Sequence, residues 1–231
     1  MNLLLLSNSS SSDGYLVHAR DAIKELAGPT KRAAFVPYAG MPDFWDAYEE
    51  KVAEALGAAG IAIASVHRAV DPVDAIADAP LIMVGGGNTF HLLHHCRRTG
   101  VLAAIAHRAL AGVPYLGWSA GSNLACPTIR TTNDMPVIDS QGLDALDLVP
   151  FQINPHFIDG KPAGHFGETR TERLAEFTTL NPSIAVLALP EGSWVRVADG
   201  AMTLGGLPGA WWIREGRELE RVEPGPMTSR I

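Results

Sequence analysis

The feature that most constrains this chain is the run Val113-Pro114-Tyr115-Leu116-Gly117-Trp118-Ser119-Ala120-Gly121-Ser122-Asn123-Leu124. A short apolar strand passes through Gly-x-Ser-x-Gly into small, helix-compatible residues. Strand, sharp turn and helix, in that order, are what a nucleophile elbow requires. Gly117 and Gly121 carry no Cβ, so the chain can turn tightly and the helix can pack close to the strand. Ser119 then stands at the turn with its hydroxyl exposed, and the N–H groups opening the helix face any oxyanion formed beside it. The same pattern also fits an inert Gly/Ser turn. A catalytic reading needs a base, an acid to orient it and a second oxyanion donor.

Around the elbow the chain alternates apolar strands with amphipathic helices. Strands are expected at Leu3–Leu6, Ala33–Pro37, Ile61–Ser65 and Leu81–Val84. Helices are expected at Tyr15–Leu26, Asp43–Leu56, Thr89–Arg98 and Val101–Ala111, with a short helical stretch at Val70–Ala77. Such alternation builds βαβ units and a mostly parallel sheet flanked by helices. In these sheets, sites gather at loops leaving the carboxyl ends of strands. The turn at Pro37–Gly40, the loop Gly85-Gly86-Gly87-Asn88 and Ser119 all hold such positions. Pro127–Phe157 reads as irregular, Thr169–Leu180 as helix and Ile184–Leu189 as strand. Three short segments then follow, at Trp194–Val197, Ala201–Leu204 and Ala210–Arg214. The Asp199-Gly200 and Gly205-Gly206 pairs between them mark hairpin turns, so an antiparallel C-terminal extension of the sheet is expected.

Composition narrows the function. With 231 residues, 47% hydrophobic and 19% charged, one α/β domain spanning 1–231 is expected. No apolar run approaches the roughly 20 residues of a membrane span. The opening Met1–Ser7 lacks the basic flank and core length of a signal peptide and reads as a buried strand. Two cysteines, Cys96 and Cys126, make no disulfide framework, which points to a cytoplasmic chain. A net charge of −7 disfavours nucleic acid and anionic membrane as partners. An anionic substrate would need a local Arg or Lys cluster.

Of the eight histidines, His156 is the best base, because it follows an apolar piece and a rigid Asn154-Pro155 turn. His165, in a Gly-rich loop, is the weaker candidate, and His18, His67 and His107 read as solvated or packed positions. His91, His94 and His95 share one helix, but without a His-Glu-x-x-His pattern no metal is expected. The orienting acid is Glu191, directly after a buried strand, or Asp134, in the stretch beyond the elbow helix. Glu191 is favoured by its place at a strand's carboxyl end, and both stay in play. The oxyanion donors are the N–H groups of Ala120 and of Gly87. A phosphate-binding use of the glycine loop lacks the following Lys-Ser/Thr.

Three segments, Gly85–Phe90, Gly117–Pro136 and Gln152–Phe157, together with Gly167–Arg170 and Leu189–Gly192, resemble the peptidase E family, and the similarity runs over nearly the whole chain. The resemblance implies a fold like that of class I glutamine amidotransferases. It also implies a cofactor-free serine dipeptidase acting on peptides with an N-terminal aspartate. Ser119 and His156 match the nucleophile and base, and the third member matches either Asp134 or Glu191. A substrate carboxylate needs a charge-assisted partner, for which Arg170 is the first choice and Arg130 the second. Asn88, beside the glycine loop, completes the expected substrate-binding set. The expected partner is a small peptide, and the expected assembly a homodimer. Related readings are a cyanophycinase-like amidohydrolase and a non-catalytic small-molecule-binding domain of the same fold.

Overall fold

The computed structural model describes residues 1–161, 164, 166–207, 209–215 and 219–227. The first half runs β1 (Asn2–Leu6), β2 (Ser10–Ser11), β3 (Gly14–Tyr15), α1 (Arg20–Ala27), β4 (Arg32–Val36), α2 (Trp45–Gly57), β5 (Ala62–Ser65), α3 (Pro72–Ala77), β6 (Ile82–Val84), α4 (Thr89–Arg98) and α5 (Val101–Leu110). The second half runs β7 (Tyr115–Trp118), α6 (Ala120–Leu124), β8 (Gln152–Asn154), α7 (Arg170–Leu180), β9 (Val186–Ala188), β10 (Trp194–Ala198), β11 (Ala201–Gly205), β12 (Ala210–Ile213), β13 (Glu220–Val222) and β14 (Gly225–Met227).

The main sheet has the order β14-β11-β10-β1-β7-β6-β4-β5. Its parallel half is β1, β7, β6, β4 and β5. On the other flank β10, β11 and β14 run antiparallel. β1 shows why leucines run unbroken through a central strand: successive side chains point to opposite faces, and both faces are covered. Leu3 and Leu5 enter a core with Val36, Val84 and Leu92. Leu4 and Leu6 enter another with Ile23, Phe35 and Trp118. All four leucines are fully buried.

Two expectations are corrected here. The helix read from Tyr15 begins later. Tyr15 pairs with Ser10 in a two-stranded ribbon, and Leu16 adopts a left-handed backbone (φ 59°) ahead of a 3-10 turn. The helical spacing was real, but a ribbon closes the serine loop before α1 can start. The strand near Ile184–Leu189 also does not join the main sheet. It forms β9 of a separate sheet, ordered β13-β12-β9-β8. That sheet takes Gln152–Asn154 from the stretch read as irregular and Ala210–Ile213 from the expected extension. Strands of three residues carry too little alternation to be read from sequence. Phe151, Ile153, Leu187 and Trp212 pack it onto the face of the main sheet that also holds Leu3, Leu5 and Val84. β8 and β9 are parallel neighbours, so the loops leaving them emerge side by side.

Among the described residues no helix is long and apolar enough to cross a membrane. The helix ends follow local rules. Asn88 caps α4 by accepting from the His91 N–H, and Thr169 and Glu172 form a capping box on α7.

A tight seam lies where α6 crosses β6. A Cβ added at Gly121 would stand 2.2 Å from the Val84 carbonyl oxygen. Gly121→Ala is therefore expected to cost more than about 2 kcal/mol through forced overpacking. Gly57, the last residue of α2, has nothing within 4 Å of an added Cβ. Gly57→Ala is expected to be neutral or to stabilise by up to about 1 kcal/mol. Urea denaturation of the two variants against the parent checks both signs.

Candidate active site

The elbow is assembled from its own neighbours. Trp118 is fully buried and stacks on Phe35, ring centroids 5.9 Å apart. This leaves Ser119 as the first residue beyond the strand, where it takes φ 52° and ψ −112°. A non-glycine residue held there is strained by about 1–3 kcal/mol and persists only where its surroundings over-determine it. Here they do. The Ser119 N–H donates to the Leu6 carbonyl at 3.0 Å, and the Ser119 carbonyl accepts from Ser122 and Asn123 N–H. Ser122 Oγ lies 2.7 Å from the Leu6 carbonyl and 3.0 Å from that of Gly117, and Tyr115 Oη donates to the Gly121 carbonyl at 2.6 Å.

The second sheet brings the candidate base and acid to this turn. His156 leaves β8 and Glu191 leaves β9, two neighbouring strands. His156 Nε2 lies 2.9 Å from Ser119 Oγ, and His156 Nδ1 lies 2.7 Å from Glu191 Oε1. A carboxylate only accepts, so Nδ1 carries the proton toward Glu191 and Nε2 presents its lone pair to the Ser119 hydroxyl. His156 also sits at positive φ (54°). Its N–H donates to Ser7 Oγ at 2.8 Å, while Ser7 Oγ donates to the Leu189 carbonyl at 2.8 Å. Asn8 Oδ1 accepts from the Gly192 N–H at 2.7 Å. The two residues after β1 thus tie the His156 loop to the Glu191 loop.

Asp134 stands elsewhere. Its Oδ2 accepts from Thr89 N–H at 2.8 Å, Thr89 Oγ1 at 2.6 Å and Thr132 Oγ1 at 2.9 Å. It anchors the start of α4, where a carboxylate complements the helix dipole. It still borders the cleft of ≈ 430 Å³ that holds Ser119 and His156, and its Oδ1 makes no hydrogen bond among the described residues. Gly87 lines the same cleft at φ 140°, and a Cβ there would stand 2.4 Å from the Ala39 carbonyl oxygen. Neither Gly87 nor Ala120 spends its N–H on a backbone carbonyl among the described residues.

The expected substrate-binding residues separate. Arg130 is removed from the set: its Nη1 donates to Asn181 Oδ1 at 2.9 Å, its guanidinium lies 5.0 Å from the Phe177 ring, and it lines a different cavity with Leu180. Asn88 is likewise engaged, its Oδ1 capping α4 and its Nδ2 donating to the Met135 carbonyl at 2.8 Å. Arg170 opens α7 half-buried, with Nη1 unpartnered among the described residues. Burial lowers its pKa, and the Glu191 carboxylate opposes that shift. His165 lies outside the described residues.

The chain matches peptidase family S51 over residues 3–205. This chain belongs to peptidase family S51. It is 49% identical over 226 residues to peptidase E of Salmonella newport (strain SL254), covering 97% of this chain and 99% of that one. It is 48% identical over the same span to peptidase E of Salmonella typhimurium (strain LT2). The fold resembles the solved structure of a peptidase from an acI-B1 Actinobacterium, with TM-score 0.71 and 15% identity over 99% of this chain and 96% of that one. It also resembles a solved protein from Listeria monocytogenes EGD-e, with TM-score 0.65 and 22% identity over 90% and 98%.

For a member of family S51, a second chain of serine, histidine and carboxylate demands comparison. Ser65 Oγ lies 2.6 Å from His67 Nδ1, and His67 Nε2 lies 2.8 Å from Asp46 Oδ1. This serine has an ordinary backbone (φ −81°), and its one hydroxyl proton is contested by the Phe35 carbonyl at 3.2 Å. Arg68 spans Asp46 and Glu49 at 2.8 and 2.6 Å. The set locks α2 to β5, and the guanidinium fills the space a cation would take among Asp46, Glu49 and His67. On α4, His91 and His95 face each other with Nε2 atoms 3.2 Å apart, while His94 Nδ1 turns to the Asp139 carbonyl at 2.7 Å.

Among the cleft residues that the sequence reading did not single out are Tyr48 and Lys51. Both sit on α2, where one helical turn places them on a shared face. Lys51 Nζ stands 4.2 Å from the Tyr15 ring centroid at the cleft wall. Only their spacing after a strand that ends near the glycine loop could have signalled them.

Two outcomes are expected. Glu191→Gln should lower kcat far more than Asp134→Asn, by up to about 10⁴-fold, because only the former contacts the imidazole. Asp134→Asn should instead lower stability by about 1 kcal/mol through the weakened helix start. Steady-state kinetics and thermal melts of both variants separate the two. The second outcome concerns His95, which burial and the neighbouring His91 and His94 lower to a pKa of about 4. The folded state resists a proton that the unfolded chain accepts below pH about 6.5, so stability falls as pH drops from about 6.5 to 4. His95→Gln should flatten Tm against pH across that window.

Proposed function

We propose that the chain is a serine dipeptidase that hydrolyses Asp-Xaa peptides through an acyl-enzyme. The observation that carries this reading is the hydrogen-bonded order Glu191–His156–Ser119 ending on a strained elbow. Its family membership and its likeness to proteins named peptidase E support the same conclusion.

Ser119 Oγ attacks the scissile carbonyl carbon while His156 Nε2 takes the hydroxyl proton. The Glu191 carboxylate fixes the tautomer and stabilises the imidazolium. The developing oxyanion is received by the N–H groups of Ala120 and Gly87. His156 then gives the proton to the leaving amine, and water, activated by the same imidazole, releases aspartate.

Substrate choice follows from charge. The free α-ammonium meets Asp134 Oδ1 at the cleft border. The aspartate side chain carries a carboxylate into a molecule of net charge −7, so a local cation must hold it. Arg170 serves that role, since its Nη1, unpartnered among the described residues, and the planar fork of guanidinium suit a carboxylate. Lys51, which lines the cleft, is available to the far end of the dipeptide.

Incubation with Asp-Leu and Ala-Leu tests the reading: release of leucine from Asp-Leu alone, abolished in Ser119→Ala, is expected. Wild-type turnover by Ser119→Ala sinks the mechanism. Arg170→Ala should reduce kcat/KM on Asp-Leu by about 2–4 kcal/mol of transition-state stabilisation. It should leave the weaker activity on Asn-Leu nearly unchanged, because an amide makes no use of the charge. An equal loss on both substrates would make Arg170 structural.

A further inference from the structure

The two oxyanion donors are secured by different means. The Ala120 N–H is fixed by the helix it opens and by the locked elbow before it. The Gly87 N–H hangs from three consecutive glycines, the residues with the most backbone freedom. A donor aimed at a developing charge contributes only if it is held in place beforehand, so something must hold this loop.

The Gly86 carbonyl and the Gly87 N–H belong to one planar trans peptide and point in opposite directions. Anchoring the carbonyl therefore aims the N–H. Tyr48 Oη donates to the Gly86 carbonyl at 3.1 Å. The hydroxyl has one proton, and its surroundings direct that proton to the loop. Trp118 Nε1, a donor only, gives its hydrogen to Tyr48 Oη at 2.9 Å, and Tyr15 Oη approaches as a further donor at 3.4 Å. Burial holds the Tyr48 pKa well above its ordinary value, so the proton stays on.

The packing agrees. The Tyr48 ring meets Phe35 edge-on, with centroids 5.0 Å apart. A Cβ at Gly85 would fall 2.6 Å from Tyr48 Oη, so the loop lies directly on the phenol. A Cβ at Gly86 would fall 3.0 Å from the Ser119 Cβ, which places the same peptide against the nucleophile. Trp118 is the residue immediately before Ser119, so one chain of hydrogen bonds joins the elbow to the glycine loop.

We propose that Tyr48 is a positioning residue for the oxyanion hole: by holding the Gly86 carbonyl it points the Gly87 N–H at the oxyanion formed on acylation of Ser119. This rests on the reading of Ser119 as an acyl-transfer nucleophile.

The test uses the full chain with Tyr48→Phe, which deletes one oxygen and keeps the ring against Phe35. The expected kcat on Asp-Leu is lower by about 10–100-fold, somewhat less than outright removal of a donor. KM should stay within about threefold. The decisive readout is an aspartyl boronic acid, which adds to the serine oxygen and places a negative oxygen in the hole. Its affinity should fall by the same factor as kcat/KM, while competitive inhibition by the product L-aspartate is unchanged. Trp118→Phe, which removes the donor that orients the Tyr48 proton, should move the same readout in the same direction and carries the test if Tyr48→Phe does not fold. Equal boronate affinity in parent and variant, or an equal loss for boronate and aspartate, overturns the proposal. The underlying reading fails separately, if labelling by a fluorophosphonate in the parent does not require Ser119.

Discussion

Everything at this site depends on one strained residue being held by the packing beneath it. Ser119 adopts a backbone that side-chain-bearing residues avoid. The strain is sustained because Gly121 lies against Val84 with no room for a methyl group, and because Ser122 reaches the carbonyls of Leu6 and Gly117. Those contacts come from β1, β6 and β7, the most deeply buried strands of the main sheet. Ser119 thus stands on a fully packed part of the core that leaves its backbone no alternative.

The partners of Ser119 arrive on a second sheet. β8 and β9 are parallel, so His156 and Glu191 leave the same edge two loops apart. Ser7 sits at the seam between the sheets, fully buried, accepting from the His156 N–H and donating to the Leu189 carbonyl. The arrangement comes from two packed sheets joined through Ser7, Asn8 and Asn123, with Glu191 on the outer side of His156.

Charge is distributed with the same economy. Asp134 spends one oxygen on the start of α4 and itself borders the cleft, while Arg170 has a buried nitrogen that is unpartnered among the described residues. Cys96 and Cys126 are buried and their thiols are pushed up, Cys126 to about 12, so neither competes with Ser119 as a nucleophile.

The sequence by itself determined the parallel core and the elbow, because both are written in local terms. Unbroken apolar runs mark strands covered on both faces, and Gly-x-Ser-x-Gly between a strand and a helix admits few backbones. It also narrowed the base to His156, whose Asn-Pro turn follows an apolar segment. Other things were decided only by tertiary structure. Sequence favoured Glu191 over Asp134 only by its place after a strand, and it is the pairing of β8 with β9 that puts Glu191 against the imidazole. Arg130 and Arg170 likewise differ only in what surrounds them after folding. Tyr48 carries only a weak signal, its spacing after a strand, because its partners, Gly86 and Trp118, lie 38 and 70 residues away. Local pattern records which backbone a segment must take; contacts between distant segments are fixed by how buried faces pack, and no short stretch of sequence contains them.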